Sequence, residues 1–135
     1  MTQRNTPRVS FIGFGEAGPN SVEIYNPAGN SWGQAAPLAQ ARYDQTTTLL
    51  PDGRVLVIGG AKLWDTNWND PGAILSSVEI YDPAGDTWSP LPPLRHARAD
   101  HTATLLPDGR VFVAGGRSSR DTYLDSAEIL ELGSR

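Results

Sequence analysis

Hydrophobic and polar positions change phase every few residues along this chain, and each phase closes on a turn signal. Thr46–Leu50 (TTTLL) is β-branched and apolar, and it stops at Pro51-Asp52-Gly53. Arg54–Ile58 (RVLVI) is then apolar without a break up to Gly59 and Gly60, the pattern of a short strand buried on both faces. Ser77–Tyr81 (SVEIY) alternates apolar with polar before the turn at Asp82–Asp86 (DPAGD), and Trp88-Ser89-Pro90-Leu91 opens a fourth strand. No segment sustains a 3.6-residue apolar period, so the pattern predicts short antiparallel strands with helices absent or brief.

The same unit recurs. Thr102–Gly116 repeats Thr46–Gly60 at an offset of 56 residues, with changes only at Thr47/Ala103, Leu56/Phe112 and Ile58/Ala114. Ser77–Trp88 repeats Ser21–Trp32 at the same offset, with changes only at Asn26/Asp82, Asn30/Asp86 and Ser31/Thr87. Weaker copies follow, Arg8–Gly13 mirroring Arg54–Gly59 and Ser126–Leu130 mirroring Ser77–Tyr81. A four-strand unit repeated at this period is the signature of propeller blades. The expected organisation is a partial blade over 8–40, a complete blade over 41–96 and a partial blade over 97–132. The order is second, third and fourth strand, then all four, then first, second and third.

An apolar run ending in Gly59-Gly60, followed by Tyr81 and Trp88, resembles the kelch motif. Gly115 and Gly116 repeat the glycine pair, and Tyr25 and Trp32 repeat the aromatic pair. The resemblance spans 8–132 and departs from the pattern at Phe14, where the second glycine belongs, and at Leu130, which replaces the Tyr with no Trp after it. It implies an all-β fold, a partial β-propeller of about two and a half to three four-stranded antiparallel kelch-type blades, akin to the central propeller of galactose oxidase. It also implies a non-catalytic module that binds a protein, peptide or glycan, without cofactor or metal. Copper radical oxidases carry kelch-like propellers too, but their chemistry needs a Tyr crosslinked to Cys and two His ligands, and this sequence has no Cys.

Composition narrows the partners. A net charge of -4 without a block of like charges offers no footprint for nucleic acid or an anionic membrane. No apolar stretch approaches the length of a membrane helix, and the N-terminal residues do not read as a signal peptide, so a soluble product is expected and its compartment stays open. The 14 Gly and 11 Pro are spread in turn-like clusters, as many short strands require.

Several motifs are read as framework or as solvated loop. Gly13, Gly15 and Gly18 form GxGxxG, but Pro19 and Asn20 lead into a strand where a dinucleotide site needs a helix. Asp65, Asn67, Asn69 and Asp70 imitate a calcium loop, yet Ser76 stands where the bidentate Glu belongs. His101 has Gln45 as its repeat partner and is expected to make a strand-edge hydrogen bond, while Glu23, Glu79 and Glu128 and Arg8, Arg54 and Arg110 recur in every copy. Trp32 and Trp88 are expected to lie buried between blades.

A site occurs once whereas scaffold recurs, so function is sought in what does not repeat. Because strands reverse at each turn, the variable connections 16–19, 61–76 and 117–125 fall on one face. Trp64 and Trp68, with Arg117, Arg120 and Tyr123 in the equivalent loop of the next blade, are the candidate binding residues; the two tryptophans either serve recognition and are dispensable for folding, or fold back onto the blade top. An open arc of blades exposes edges and apolar flanks. The chain is therefore expected to self-associate through blade edges as a homo-oligomer, or to belong to a larger propeller.

Overall fold

The computed structural model describes residues 20–62 and 67–132 in full and 8–10 as backbone. Among these lie ten strands and no helix: β1 (Arg8–Ser10), β2 (Val22–Asn26), β3 (Ser31–Ala35), β4 (Thr46–Leu49), β5 (Val55–Ile58), β6 (Val78–Asp82), β7 (Thr87–Leu91), β8 (Thr102–Leu105), β9 (Val111–Ala114) and β10 (Ala127–Leu130). They form three antiparallel sheets in the orders β1-β2-β3, β4-β5-β6-β7 and β10-β9-β8, called blades 1, 2 and 3 below. The all-β architecture and its partial kelch-type blades are as the sequence predicts. The GxGxxG glycines and Phe14 lie outside the described residues.

Each hairpin is fixed by its turn. At Pro51-Asp52-Gly53 the Asp52 carboxylate accepts the Arg54 amide (3.1 Å) and its guanidinium (2.9 Å), and Asp108 repeats this with Arg110. These recurring arginines are turn framework, partly exposed and worth little beyond local order. Tyr81 opposes Trp88 across β6 and β7, with ring centroids 5.0 Å apart, and its hydroxyl donates to Asp86 at 2.6 Å. Tyr25, Trp32 and Asn30 repeat that arrangement in blade 1.

The core is made between blades. Val55, Leu56, Val57 and Ile58 are all within 1% of complete burial, because β5 is covered on both faces. Leu56 and Ile58 pack with Val78, Ile80 and Leu94 against Val111 and Val113 of blade 3. Val55 and Val57, on the alternate face, pack with Tyr81 and Trp88 against Ile24, Val22 and Ala35 of blade 1. Each such side chain contributes about 1.5–3 kcal/mol relative to an exposed one.

The glycine pair closes this packing. Gly59 and Gly60 adopt φ of 60° and 107°, and a Cβ on them would stand 2.5 Å from the Arg98 carbonyl and 2.6 Å from that of Tyr43. No other residue allows the backbones that close. Gly115 and Gly116 repeat the positive φ in blade 3.

The tryptophans divide. Trp88 is half-buried, and its indole N–H donates to the Ala36 carbonyl of blade 1 at 2.8 Å. Trp32, expected to be buried in the same way, is 51% exposed. Its sequence environment is the same, but among the described residues no blade stands on the side it faces. Phe112 and Ile129, the counterparts of buried Leu56 and Ile80, are likewise 38% and 45% exposed on the far side of blade 3.

Candidate functional site

The connections between blades and those between the two inner strands gather at one end of the sheets, and hydrogen bonding holds them there. Isolated bridges join Tyr43 to Ala61 and Ala61 to Ile74, and the repeat places Ala99–Arg117 and Arg117–Tyr123 bridges at the same positions of blade 3. Arg117 therefore stands where blade 2 has a fully buried alanine. Such a substitution puts a long cation into a small framework position, and it must reach outward.

It reaches across to the neighbouring loop. The Arg117 guanidinium lies 4.6 Å from the centre of the Trp68 ring and 5.7 Å from that of Tyr123, so two aromatic faces flank one cation. Stacks of this kind contribute about 0.5–2 kcal/mol, more as they lose water. Its Nη2 donates to Asp100 at 2.7 Å and its Nη1 to the Arg120 carbonyl at 3.4 Å. The Arg120 amide in turn donates to Asn69 Oδ1 at 3.2 Å, which ties the 117–125 loop to the described part of the 61–76 loop. Beside them the Asp100 amide donates to the Asp44 carbonyl. Partial burial and then the charge of Asp100 raise the Asp44 carboxyl above its ordinary value, while Arg117 opposes them.

The structure thus brings together Trp68, Arg117, Arg120 and Tyr123, while Trp64 lies outside the described residues. Their roles are not alike. Tyr123 is 74% exposed and Arg120 is exposed, so both face solvent. Trp68, for which the sequence leaves a recognition surface and a fold-back onto the blade both open, is only 8% exposed and packs with Ala61, Ile74 and Ala99. It anchors the loop and backs Arg117, because an indole without a partner lowers its free energy by covering the small residues of the strand ends. Of the calcium-like residues, Asn67 accepts the Asn69 amide and Asn69 accepts the Arg120 amide, and Asp65 lies outside the described residues. No group of three or more His, Asp or Glu is placed to hold a metal among the described residues.

Beneath this surface lie polar pairs that the sequence reading singled out only by half. Glu79 accepts the Ala39 and Gln40 amides (2.9 and 3.2 Å) and the Arg42 guanidinium, which also donates to the Gly59 and Ser77 carbonyls. Glu128 repeats the set with Arg95, His96 and Arg98. Burial would raise the Glu128 carboxyl, but the two amides and Arg98 outweigh it and hold it below its ordinary value. Glu79 and Glu128 were legible as recurring framework. Arg42 and Arg98, with Asp44 and Asp100, were missed, although the offset of 56 was visible in Ala41-Arg42-Tyr43-Asp44 and Ala97-Arg98-Ala99-Asp100.

The repeated glycine pair, the Tyr–Trp pairing across β6 and β7 and the inter-blade packing define kelch-type propeller blades. Residues 45–95 match the family described as "Kelch motif". The chain is 32% identical over 118 residues to human "Kelch repeat and BTB domain-containing protein 12", covering 84% of this chain and 19% of that one. It is 34% identical over 102 residues to human "Kelch-like protein 33", covering 76% and 17%. To the "Galactose oxidase" of Gibberella zeae it is 30% identical over 139 aligned positions, covering 89% and 19%. This chain belongs to the kelch-repeat family. It spans about a fifth of the length of the curated relatives it matches. No helix of the described residues is long and apolar enough to cross a membrane.

Proposed function

We propose that this chain supplies the blades of a non-catalytic kelch-repeat binding module, and that the end of the sheets bearing the 61–76 and 117–125 loops recognises a protein partner. The observation that carries this reading is Arg117, held between Trp68 and Tyr123 with Tyr123 74% exposed. A rigid cation beside an open aromatic is the side-chain chemistry enriched at interface hot spots, and ordering it in advance lowers the entropy cost of binding. A peptide or a glycan would use the same aromatic face. In this reading the exposed flanks at Trp32 and at Phe112 and Ile129 are covered by further blades, from second copies or from the rest of a larger propeller.

The likeness to galactose oxidase supports a second reading, a propeller serving an oxidase. That chemistry would draw its cysteine from outside this sequence, which has none.

The test places a photo-crosslinking amino acid at Tyr123 and, separately, at Ala84 in the exposed turn between β6 and β7. Saturable crosslinking of a protein at position 123, lost with Arg117→Ala and lacking at position 84, is the expected result. Equal labelling from both positions would overturn the assignment of the face. Light scattering against concentration separates flanks covered by second copies from flanks left open.

A further inference from the structure

The sequence contains two Asp-Gly bonds, Asp52-Gly53 and Asp108-Gly109, and the repeat sets both in the same hairpin turn, between β4 and β5 and between β8 and β9. Such a bond can isomerise unaided. The glycine amide nitrogen attacks Cγ of the preceding carboxylic acid, a C–N bond forms, and the acid hydroxyl leaves with the amide proton as water. One water then opens the five-membered imide at its main-chain carbonyl, which leaves aspartate linked through its side-chain carboxyl at unchanged mass. Glycine favours the attack because no Cβ crowds its nitrogen.

The turn restrains both reactants. Gly53 and Gly109 donate their amide protons to the Leu50 and Leu106 carbonyls, each at 2.9 Å, which occupies the attacking nitrogens. Asp52 accepts the amide and guanidinium of Arg54, and Asp108 accepts those of Arg110 at 3.0 and 2.8 Å. These bonds favour the ionised carboxylate, whereas only the acid cyclises. The Arg110 amide first, and then its guanidinium, outweigh desolvation and hold the Asp108 carboxyl below its ordinary value.

The two copies are not equally guarded. The Arg54 and Asp52 side chains are 18% and 35% exposed, those of Arg110 and Asp108 41% and 54%. Arg110 also faces a competitor, since its Nη1 lies 4.0 Å from the exposed carboxylate of Glu131. We propose that Asp108-Gly109 is a site of spontaneous aspartate isomerisation in the folded chain, held in check by Arg110, and that Asp52-Gly53 is its protected copy. The new linkage adds a methylene to the backbone and moves the free carboxylate onto Cα, away from the Arg110 amide. It loosens the β8–β9 hairpin beside Leu105 and Val111, which belong to the interface between blades 2 and 3. This turn lies at the end of blade 3 opposite Arg117, so the site stands apart from the proposed recognition surface.

The test incubates the full 135-residue chain for weeks at body temperature and neutral pH, then digests it with a protease that cleaves only before normally linked aspartate. Isomerised peptides resist that cleavage and keep their mass. Resistance should accumulate at position 108 ahead of position 52, and at 108 more slowly than in a free peptide of residues 102–114. Arg110→Gln should speed conversion at 108 about two- to fivefold, the factor equivalent to an exposed ion pair, and leave position 52 unchanged. Glu131→Gln removes the competitor while keeping Arg110 and the turn, and should slow conversion at 108; it decides the matter if Arg110→Gln lowers the melting temperature. Conversion at 52 ahead of 108, equal rates at 108 in chain and peptide, conversion in the peptide alone, or a rate at 108 indifferent to Glu131→Gln would overturn the proposal.

Discussion

Arg42 and Glu79, 37 positions apart in sequence, meet at 2.7 Å where the link from blade 1 crosses the third strand of blade 2. Arg42 is wholly buried and its burial pulls the guanidinium below its ordinary pKa, against the pull of Glu79. The pair is stable because every strong donor and acceptor around it is used, including the Ala39 and Gln40 amides. It fastens the link between blades to the strand it crosses, and Arg98 with Glu128 repeats the fastening one blade on at 3.0 Å.

Removing one partner should cost far more than a surface ion pair. Arg42→Ala leaves the Glu79 carboxylate buried without its cation, and a loss of about 3–5 kcal/mol is expected in urea unfolding. Arg54→Ala removes an exposed pair with Asp52 and should cost less than about 1 kcal/mol. Similar losses from both variants would show that the fastening role is misplaced.

The two tryptophans of the repeat should part in the same measurement. Trp88→Ala deletes an indole seated between blades and its hydrogen bond to Ala36, so a cost of about 3 kcal/mol or more is expected. Trp32→Ala removes a ring already 51% exposed and should cost less than about 1 kcal/mol in the isolated chain. Their unequal effects, despite equal sequence context, would measure what a neighbouring blade contributes.

That contrast marks what the sequence could and could not carry. Strand positions and their grouping into sheets of three, four and three were legible, because the offset of 56 residues aligns each turn and each apolar run with its copy. Burial was legible only where the neighbour is inside the chain: Leu56 and Phe112 are repeat partners, and one is buried while the other is 38% exposed. The candidate site was legible in part, since Arg117 and Tyr123 stood out by not repeating. The orientation of Trp68 was not legible, because an aromatic in a variable loop reads the same whether it faces solvent or folds inward onto Ala61 and Ala99. Asp100 escaped notice because it does repeat; only Arg117, which does not, gives it a partner at 2.7 Å.

His101 makes stability depend on acidity. It is 6% exposed, its Nε2 lies 2.9 Å from Thr46 Oγ1 at the contact of β8 with β4, and burial, aided by the charge of Arg98, pushes its pKa down to about 4. The unfolded chain binds the proton near pH 6.5 and the folded chain only near pH 4. The stabilisation is therefore complete above pH 6.5 and lost as the pH falls towards 4, by on the order of 2–3 kcal/mol. His101→Gln, which copies Gln45 of the preceding blade, should flatten this part of the stability curve. An unchanged slope between pH 6.5 and 4 would assign it to the carboxylates instead.

Trp68 and Tyr123 flank the same guanidinium, yet they should respond oppositely to truncation. Trp68→Ala empties a position 8% exposed and frees the loop from Ala61, Ile74 and Ala99, so it should lower stability by about 2–4 kcal/mol. Tyr123→Ala removes a ring 74% exposed and should leave stability within about 0.5 kcal/mol. If the surface recognises a partner, Tyr123→Ala should weaken crosslinking from an exposed neighbour such as Arg120 while the melting temperature holds. Trp68→Phe keeps an aromatic face behind Arg117 and should restore most of the stability lost with alanine. The combination separates anchor from contact: a Tyr123→Ala variant that unfolds early, or a Trp68→Ala variant that does not, would reverse the two assignments.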